Sequence, residues 1–145
     1  MVIQLIFQSS PLNLTRIILG ILLFFTAALK FPDLKGFADI VQHYNIMPRK
    51  LARFLAYLQP FGEFFISLML LIGSQLILTA ALNLLSLSVA TFFIAYALAR
   101  KNKLKNCGCF GTSFEIPVSL KKLAENLFWI LLSLYLLLGA IQLGL

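Results

Sequence analysis

The chain has 145 residues, of which 61% are hydrophobic and 12% are charged, and its mean hydropathy is +0.96. So apolar a composition excludes a disordered chain, a nucleic-acid-binding module and an ordinary soluble enzyme, and it predicts an integral membrane protein. The excess of 12 basic over 5 acidic residues is therefore interpreted as loop charge that orients the protein in a bilayer, with no nucleic-acid partner expected.

Four apolar runs are long enough to cross a bilayer as helices. We place these spans at residues 12–31, 54–72, 76–99 and 124–145. A tight turn at residues 73–75 joins the second and third spans and makes them antiparallel neighbours. The sequence therefore predicts a single all-α domain over residues 1–145, an antiparallel four-helix membrane bundle whose first helix is retained as an anchor.

The first span and the loop after it carry polar residues with expected positions. Arg16 and Lys30 bound the apolar part of this span, and we expect both side chains to extend to the membrane interfaces. One apolar helical face in the loop predicts a short interfacial helix. That face consists of Phe37, Ile40, Val41 and Tyr44. His43 lies beside it and could bind a metal or shuttle protons, but a lone interfacial histidine is more often a solvated surface residue.

Glu63 and Asn83 are polar residues inside the second and third spans. Glu63 is deep in the second span, where an ionised carboxylate is costly, so we expect it to be protonated, paired or open to a wet cavity. Gln59, Glu63 and Ser67 share one stripe of this helix. Asn83 belongs to a small and polar face of the third helix, in about the same layer as Glu63. Two interpretations stay open: a proton-linked or quinone head-group site, or a structural hydrogen bond between the two helices.

The residues with the most reactive chemistry are Cys107 and Cys109, in the basic loop between the third and fourth spans. Gly108 supplies the freedom for the sharp turn that a disulfide between these residues would require. A strained and accessible disulfide exchanges readily, and nearby basic side chains favour the thiolate. The pair could alternatively bind a soft metal such as Cu(I) or Zn, or be two unreactive small apolar residues.

The residues that follow the cysteines extend this motif. Phe110 offers an apolar contact at the membrane surface, and Gly111 lets the backbone of a partner approach closely. Ser119 is the predicted N-cap of the fourth helix. Asn126 lies in the early turns of that helix, where it is either a tie to the cysteine loop or a simple polar interface residue.

The loop charges are strongly asymmetric. Eleven basic residues fall in the first and third loops, whereas the opposite side carries only Arg16. The eleven are Lys30, Lys35, Arg49, Lys50, Arg53, Arg100, Lys101, Lys103, Lys105, Lys121 and Lys122. By the positive-inside rule, both long loops face the cytoplasm and both termini lie outside. The expected location is a bacterial-type inner membrane, crossed several times.

The motif Cys-Gly-Cys-Phe-Gly at residues 107–111 resembles the signature of the MauE/DoxX family of small redox-associated membrane proteins. Weaker elements extend this resemblance along nearly the whole chain: Arg16, Lys30-Phe31-Pro32, Tyr44 with Pro48, Pro60 with Glu63, and Asn126. For the MauE branch, the resemblance implies methylamine utilisation, with assistance to the maturation of a disulfide-rich periplasmic dehydrogenase subunit beside a thioredoxin-like partner. For the DoxX branch, it implies membrane redox complexes and thiol homeostasis.

The functional hypothesis combines the cysteine pair with this resemblance. We predict that the protein passes electrons through Cys107 and Cys109 to or from a thioredoxin-like protein or a membrane redox complex. Supporting residues are Gly108, Phe110, Gly111, Lys30, Glu63, Asn83 and Asn126. The alternative is a non-catalytic membrane subunit or assembly factor, of the methylamine dehydrogenase type, whose cysteines are structural or bind a metal. A periplasmic maturation role would need the cysteines outside, whereas a cytoplasmic loop would keep them as a dithiol.

Overall fold

The computed structural model describes residues 11–100, 108, 111–112 and 116–143, and within them the chain forms five α-helices. These are α1 (Pro11–Lys30), α2 (Leu34–His43), α3 (Arg49–Ile72), α4 (Leu76–Ala99) and α5 (Leu120–Leu143), with a 3₁₀ turn at Phe31–Asp33. Four helical stretches are long and apolar enough to cross a membrane: Pro11–His43, Arg49–Ile72, Leu76–Ala99 and Leu120–Gln142. The predicted all-α membrane fold is thereby confirmed.

The four long helices form a closed ring in the order α1, α3, α4, α5, because each packs on the next and α5 returns to α1. The most extensive pairings are α1 with α3 and α4 with α5. Leu19, Leu70 and Leu136 are fully buried at the centre. Ala80 and Ala140 join the same core, and side chains this small let neighbouring helix backbones approach closely.

The outer surface of the bundle is apolar along its length. Several large hydrophobic side chains are 61–64% exposed, a degree of exposure that would promote aggregation in water. They are Leu14, Phe54, Phe65, Leu85 and Leu131. A bilayer provides the solvent that such a surface requires, while the helices satisfy their own backbone hydrogen bonds.

The helix predicted in the first loop is confirmed as α2, and its apolar face packs on the bundle itself. Phe37 and Ala38 are buried against Ala56 of α3. Tyr44, just after α2, is also buried, and its ring centroid lies 5.5 Å from that of Phe93 on α4. Consequently α2 packs across α3, and the residue that follows it reaches α4, at one end of the helix bundle.

Arg16 is buried against the end of α3, where it finds hydrogen-bond acceptors on a neighbouring helix, and its predicted extension to a membrane interface stays a prediction. It is 2% exposed and donates hydrogen bonds to the backbone oxygens of Leu70 and of Leu71, the latter at 2.8 Å. Its guanidinium also donates to Oδ1 of Asn13, at 2.7 and 3.1 Å. Both carbonyls belong to the last turn of α3, where an α-helix leaves its carbonyls without intrahelical partners. Arg16 therefore caps α3 from the neighbouring helix.

Candidate functional site

A buried ion pair joins α1 to α3. Nζ of Lys30, the last residue of α1, lies 2.9 Å from Oε1 and 2.7 Å from Oε2 of Glu63. The two side chains are only 3% and 8% exposed. Of the three situations expected for Glu63, the structure shows a pair. The expectation that Lys30 extends to the interface is wrong, because the carboxylate inside the bundle supplies the partner that its ammonium would otherwise seek in water.

The polar stripe predicted on α3, which contains Gln59, Glu63 and Ser67, brings Glu63 beside Lys30. Glu63 and Ser67 are buried on one face of the helix, with Gln59 one turn earlier on the same face. Nε2 of Gln59 donates to Oε1 of Glu63 at 3.1 Å, so the carboxylate receives hydrogen bonds from two residues. Ser67 bonds the backbone oxygen of Phe64 at 2.6 Å in its own helix. The position of the carboxylate is thus set from both α1 and α3.

The ion pair borders a cavity of about 90 Å³ at the α2 end of the bundle. A buried water needs at least about 10–15 Å³ of such space, so the cavity has room for several. Its polar lining includes Lys30, Glu63, Gln59, Lys122, Glu125 and Asn126, and its aromatic lining consists of Phe37, Tyr44, Phe93 and Trp129. Gly108 also lines the cavity, so the residue between the two cysteines contributes to its wall.

The described residues of the cysteine motif lie directly on the end of α1 and on α2. The backbone N–H of Gly111 donates to the carbonyl of Gly108 at 3.1 Å, which closes a turn. A Cβ atom on Gly111 would lie 2.9 Å from the carbonyl oxygen of Leu29 and 3.1 Å from Cα of Lys30. Gly111 also has a φ of +66°, so both its conformation and its close approach favour glycine. Cys107, Cys109 and Phe110 lie outside the described residues.

Two further contacts hold this turn. A Cβ atom on Gly108, whose φ is +82°, would lie 3.1 Å from Cγ2 of Ile40 and 3.3 Å from Cε2 of Phe37. Oγ1 of Thr112 donates to Oδ2 of Asp33 at 3.1 Å, while Oδ1 of Asp33 accepts the backbone N–H of Gly36 and caps α2. The N-terminal cap of α2 therefore also anchors the cysteine motif.

Asn83 and Asn126 have different surroundings. Nδ2 of Asn83 donates to Oγ of Ser133 at 3.1 Å, and both side chains are buried between α4 and α5. Asn83 thus ties α4 to α5, while Glu63 is held by α1, so the hydrogen bond considered between them does not form. Asn126 is 5% exposed and lines the cavity together with Gly108. Ser119 accepts the backbone N–H of Lys122 at 3.2 Å, as predicted for an N-cap.

The structure brings four of the predicted site residues to one cavity: Lys30, Glu63, Gly108 and Asn126. Gly111 packs against the backbone of Lys30 just beside it. Their functional roles, and the binding of a quinone, stay predictions. Sequence reasoning missed the Lys30–Glu63 pair, although a lysine at the end of one span and a carboxylate inside the next are a signal for pairing. It also missed Lys122, which lies 3.1 Å from Glu125.

Comparison with known proteins identifies a family. The sequence model of a family described as "Methylamine utilisation protein MauE" matches residues 8–139, which is most of the chain. No curated protein and no solved structure gives a significant match. The matched range includes all four long helices in large part, the ion pair and the cysteine motif.

Proposed function

Since this chain belongs to the MauE family of methylamine utilisation proteins, we propose that it is a membrane thiol–disulfide redox protein that exchanges electrons with a partner through Cys107 and Cys109. The coarser role is that of a multi-pass membrane protein associated with methylamine utilisation. The finer role depends on the cysteine pair and on the packing of Gly108 and Gly111 against the bundle.

One observation carries the proposal. Gly108, between the cysteines, packs closely on α2 in the wall of the cavity that the ion pair borders, and Gly111 packs closely on the end of α1 beside it. Two glycines with positive φ allow this turn to pack closely on the bundle, and one of them, Gly108, forms part of the cavity wall. This close packing supports the proposal that the position of the cysteine motif on the bundle matters for thiol exchange.

The exchange step is a two-electron transfer between two dithiol–disulfide pairs. The thiolate of Cys107 attacks a disulfide of the partner, which forms a mixed disulfide and releases one partner thiolate. The thiolate of Cys109 then attacks the sulfur of Cys107, which closes the Cys107–Cys109 disulfide and releases the second partner thiolate. The protein loses two electrons and two protons, and the partner becomes a dithiol. The reverse sequence reduces the protein and oxidises the partner.

The partner proposed for this exchange is a thioredoxin-like protein or a membrane redox complex. A second candidate function is a non-catalytic membrane subunit or an assembly factor for a methylamine dehydrogenase, with structural or metal-binding cysteines. The family description favours this second candidate, because it refers to the use of methylamine and not to a thiol reaction. The two functions make opposite predictions for single-cysteine variants.

We expect Cys109→Ser to accumulate a covalent adduct with the partner, because the attacking thiol remains and the resolving thiol is gone. Cys107→Ser should lose function without forming the adduct. Gly108→Val should lengthen the adduct lifetime, since a β-branched residue resists a φ of +82° and would meet Ile40 and Phe37. Adduct lifetimes on non-reducing gels measure all three effects. Normal function in all three variants, with no adduct in any, would replace the redox function by the assembly role.

We also propose that the cysteine loop faces the cytoplasm, because eleven of the twelve basic residues, counting the buried Lys30, lie in the loops and helix ends on its side of the bundle. A membrane-impermeant maleimide should then label Cys107 in inside-out vesicles and leave it unlabelled in intact cells. Permeabilised cells provide the control for access to the thiol. Labelling in intact cells would reverse the orientation and favour a role in maturation outside the cytoplasm.

A further inference from the structure

A positive charge lies inside the bundle close to the cysteine motif. Nζ of Lys30 is 5.0 Å from the centroid of the Phe37 ring. The edge of the same ring, at Cε2, lies 3.3 Å from where a Cβ atom on Gly108 would be. On the other side, Gly111 packs against the backbone of Lys30. The ammonium and the turn that carries the cysteines are therefore separated by little more than one aromatic ring.

We propose that Lys30 is a positioning residue for the thiol chemistry, whose ammonium stabilises the thiolate formed in the cysteine turn, and that Glu63 holds this ammonium in place. The inference rests on the proposed redox function, because a stabilised thiolate matters only if the cysteines react. Neither residue exchanges electrons or forms a covalent bond. The pair acts through the electrostatic field that it creates at the cysteine turn.

Stability alone gives a poor reason for this ion pair. Moving two charges out of water costs several kcal/mol per ion, and their attraction often only offsets that cost. Charged residues within membrane spans usually serve a function, and this pair borders a cavity that reaches Gly108. Because the ion pair and Gly108 line the same cavity, the field acts across the cavity and the Phe37 ring, with less screening than between exposed charges.

Other charged and titratable groups face the same region and must be considered. On α5, Lys122 pairs at 3.1 Å with Glu125, whose side chain is 45% exposed. Near the turn, the Asp33 carboxylate is held by Thr112 and the Gly36 amide. Tyr44 lines the cavity from the end of α2. The basic residues 100, 101, 103 and 105 precede Cys107 in the sequence. The variants leave all of these groups unchanged, so their contribution to the thiolate midpoint is constant.

The experiment uses the fact that the chain contains only two cysteines. In a Cys109→Ser parent, Cys107 is the sole thiol, and its alkylation rate by iodoacetamide as a function of pH gives the midpoint at which the thiolate forms. The variants Lys30→Gln and Glu63→Gln each remove one charge and introduce a neutral amide that can still form hydrogen bonds. Lys35→Gln, on an exposed position of α2, is the matched control.

Lys30→Gln should raise the midpoint pH, because the thiolate loses its cationic neighbour, and Glu63→Gln should lower it, because the ammonium is no longer neutralised. A unit charge roughly 10 Å away in a medium of effective dielectric constant near 20 corresponds to a shift of about one pH unit. Lys35→Gln should leave the midpoint unchanged, and the shift from Lys30→Gln should persist at high salt, unlike an effect of exposed charges.

Unchanged midpoints in both variants, or shifts in the same direction, would overturn the role of Lys30, since a general loosening of the bundle has no charge dependence. If a single variant does not fold, the double variant Lys30→Gln/Glu63→Gln removes both buried charges and permits the measurement. Compared with whichever single variant folds, the double variant should shift back towards the midpoint of the parent, because it also removes the charge of opposite sign. No shift relative to that single variant, or a further shift in the same direction, overturns the inference. Alkylation needs no partner protein. If the midpoint does not shift but the covalent adduct with the partner still forms, the role of Lys30 is refuted and the exchange function is not. A shifted midpoint without adducts refutes the exchange function instead.

Discussion

Replacement of Glu63 by lysine is expected to destabilise the bundle by at least about 3 kcal/mol, the insertion-scale cost of a charge at the centre of a span. The structure makes this cost severe, because the new ammonium would face that of Lys30 in a site where Glu63 is only 8% exposed. Repulsion between like charges would then be added to the cost of removing the new charge from water. Titration with a denaturing detergent, followed by the circular dichroism of the helices, measures the loss.

Two variants test whether this effect arises from the ion pair. Glu63→Gln keeps the shape of the side chain and one acceptor, so it should lose much less stability than Glu63→Lys. The exchanged pair Lys30→Glu/Glu63→Lys restores opposite charges and should recover part of the stability of the original chain. If Glu63→Gln and Glu63→Lys are tolerated equally, position 63 faces water and is not buried against Lys30.

Replacement of Arg16 by methionine is expected to cost about 2–4 kcal/mol, because it leaves two carbonyls of the last turn of α3 without their donor. Arg16 is 2% exposed, so water has little access to replace the lost hydrogen bonds. The damage should concentrate where α1 meets the end of α3, near Gly73, and spare the cysteine turn. Amide hydrogen exchange of the last turn of α3 should therefore accelerate, in addition to the global loss of stability.

The matched control for this change is Arg53→Met, at an exposed position on α3. It removes the same kind of side chain without leaving a buried carbonyl unpaired, and its effect should remain within about 0.5 kcal/mol. Arg16→Lys keeps a cation that can donate to one carbonyl at a time, so it should fall between the two. Similar losses for Arg16→Met and Arg53→Met would mean that the hydrogen bonds from Arg16 to α3 add nothing measurable to stability.

The sequence by itself determined the features that depend on local chemistry. Length and apolarity predicted four membrane helices, and the apolar periodicity after the first span predicted α2. Gly73, with a φ of +81°, ends α3 as the expected turn, and Ser119 caps α5 as expected. Each of these features is decided within a few residues, because helix length, capping and left-handed turns depend on neighbouring side chains and backbone dihedral angles.

Only the tertiary structure decided which polar groups meet. Lys30 was expected at an interface and Glu63 near Asn83, whereas Lys30 pairs with Glu63 and Asn83 bonds to Ser133. Arg16 likewise finds its acceptors on another helix, and the described part of the cysteine motif lies on α2 and the end of α1. Apolar runs reveal that a helix spans the membrane but not which helix lies beside it, because lipid and protein neighbours both accept hydrophobic side chains. The order of the helices around the bundle, and their rotation, therefore had to come from packing.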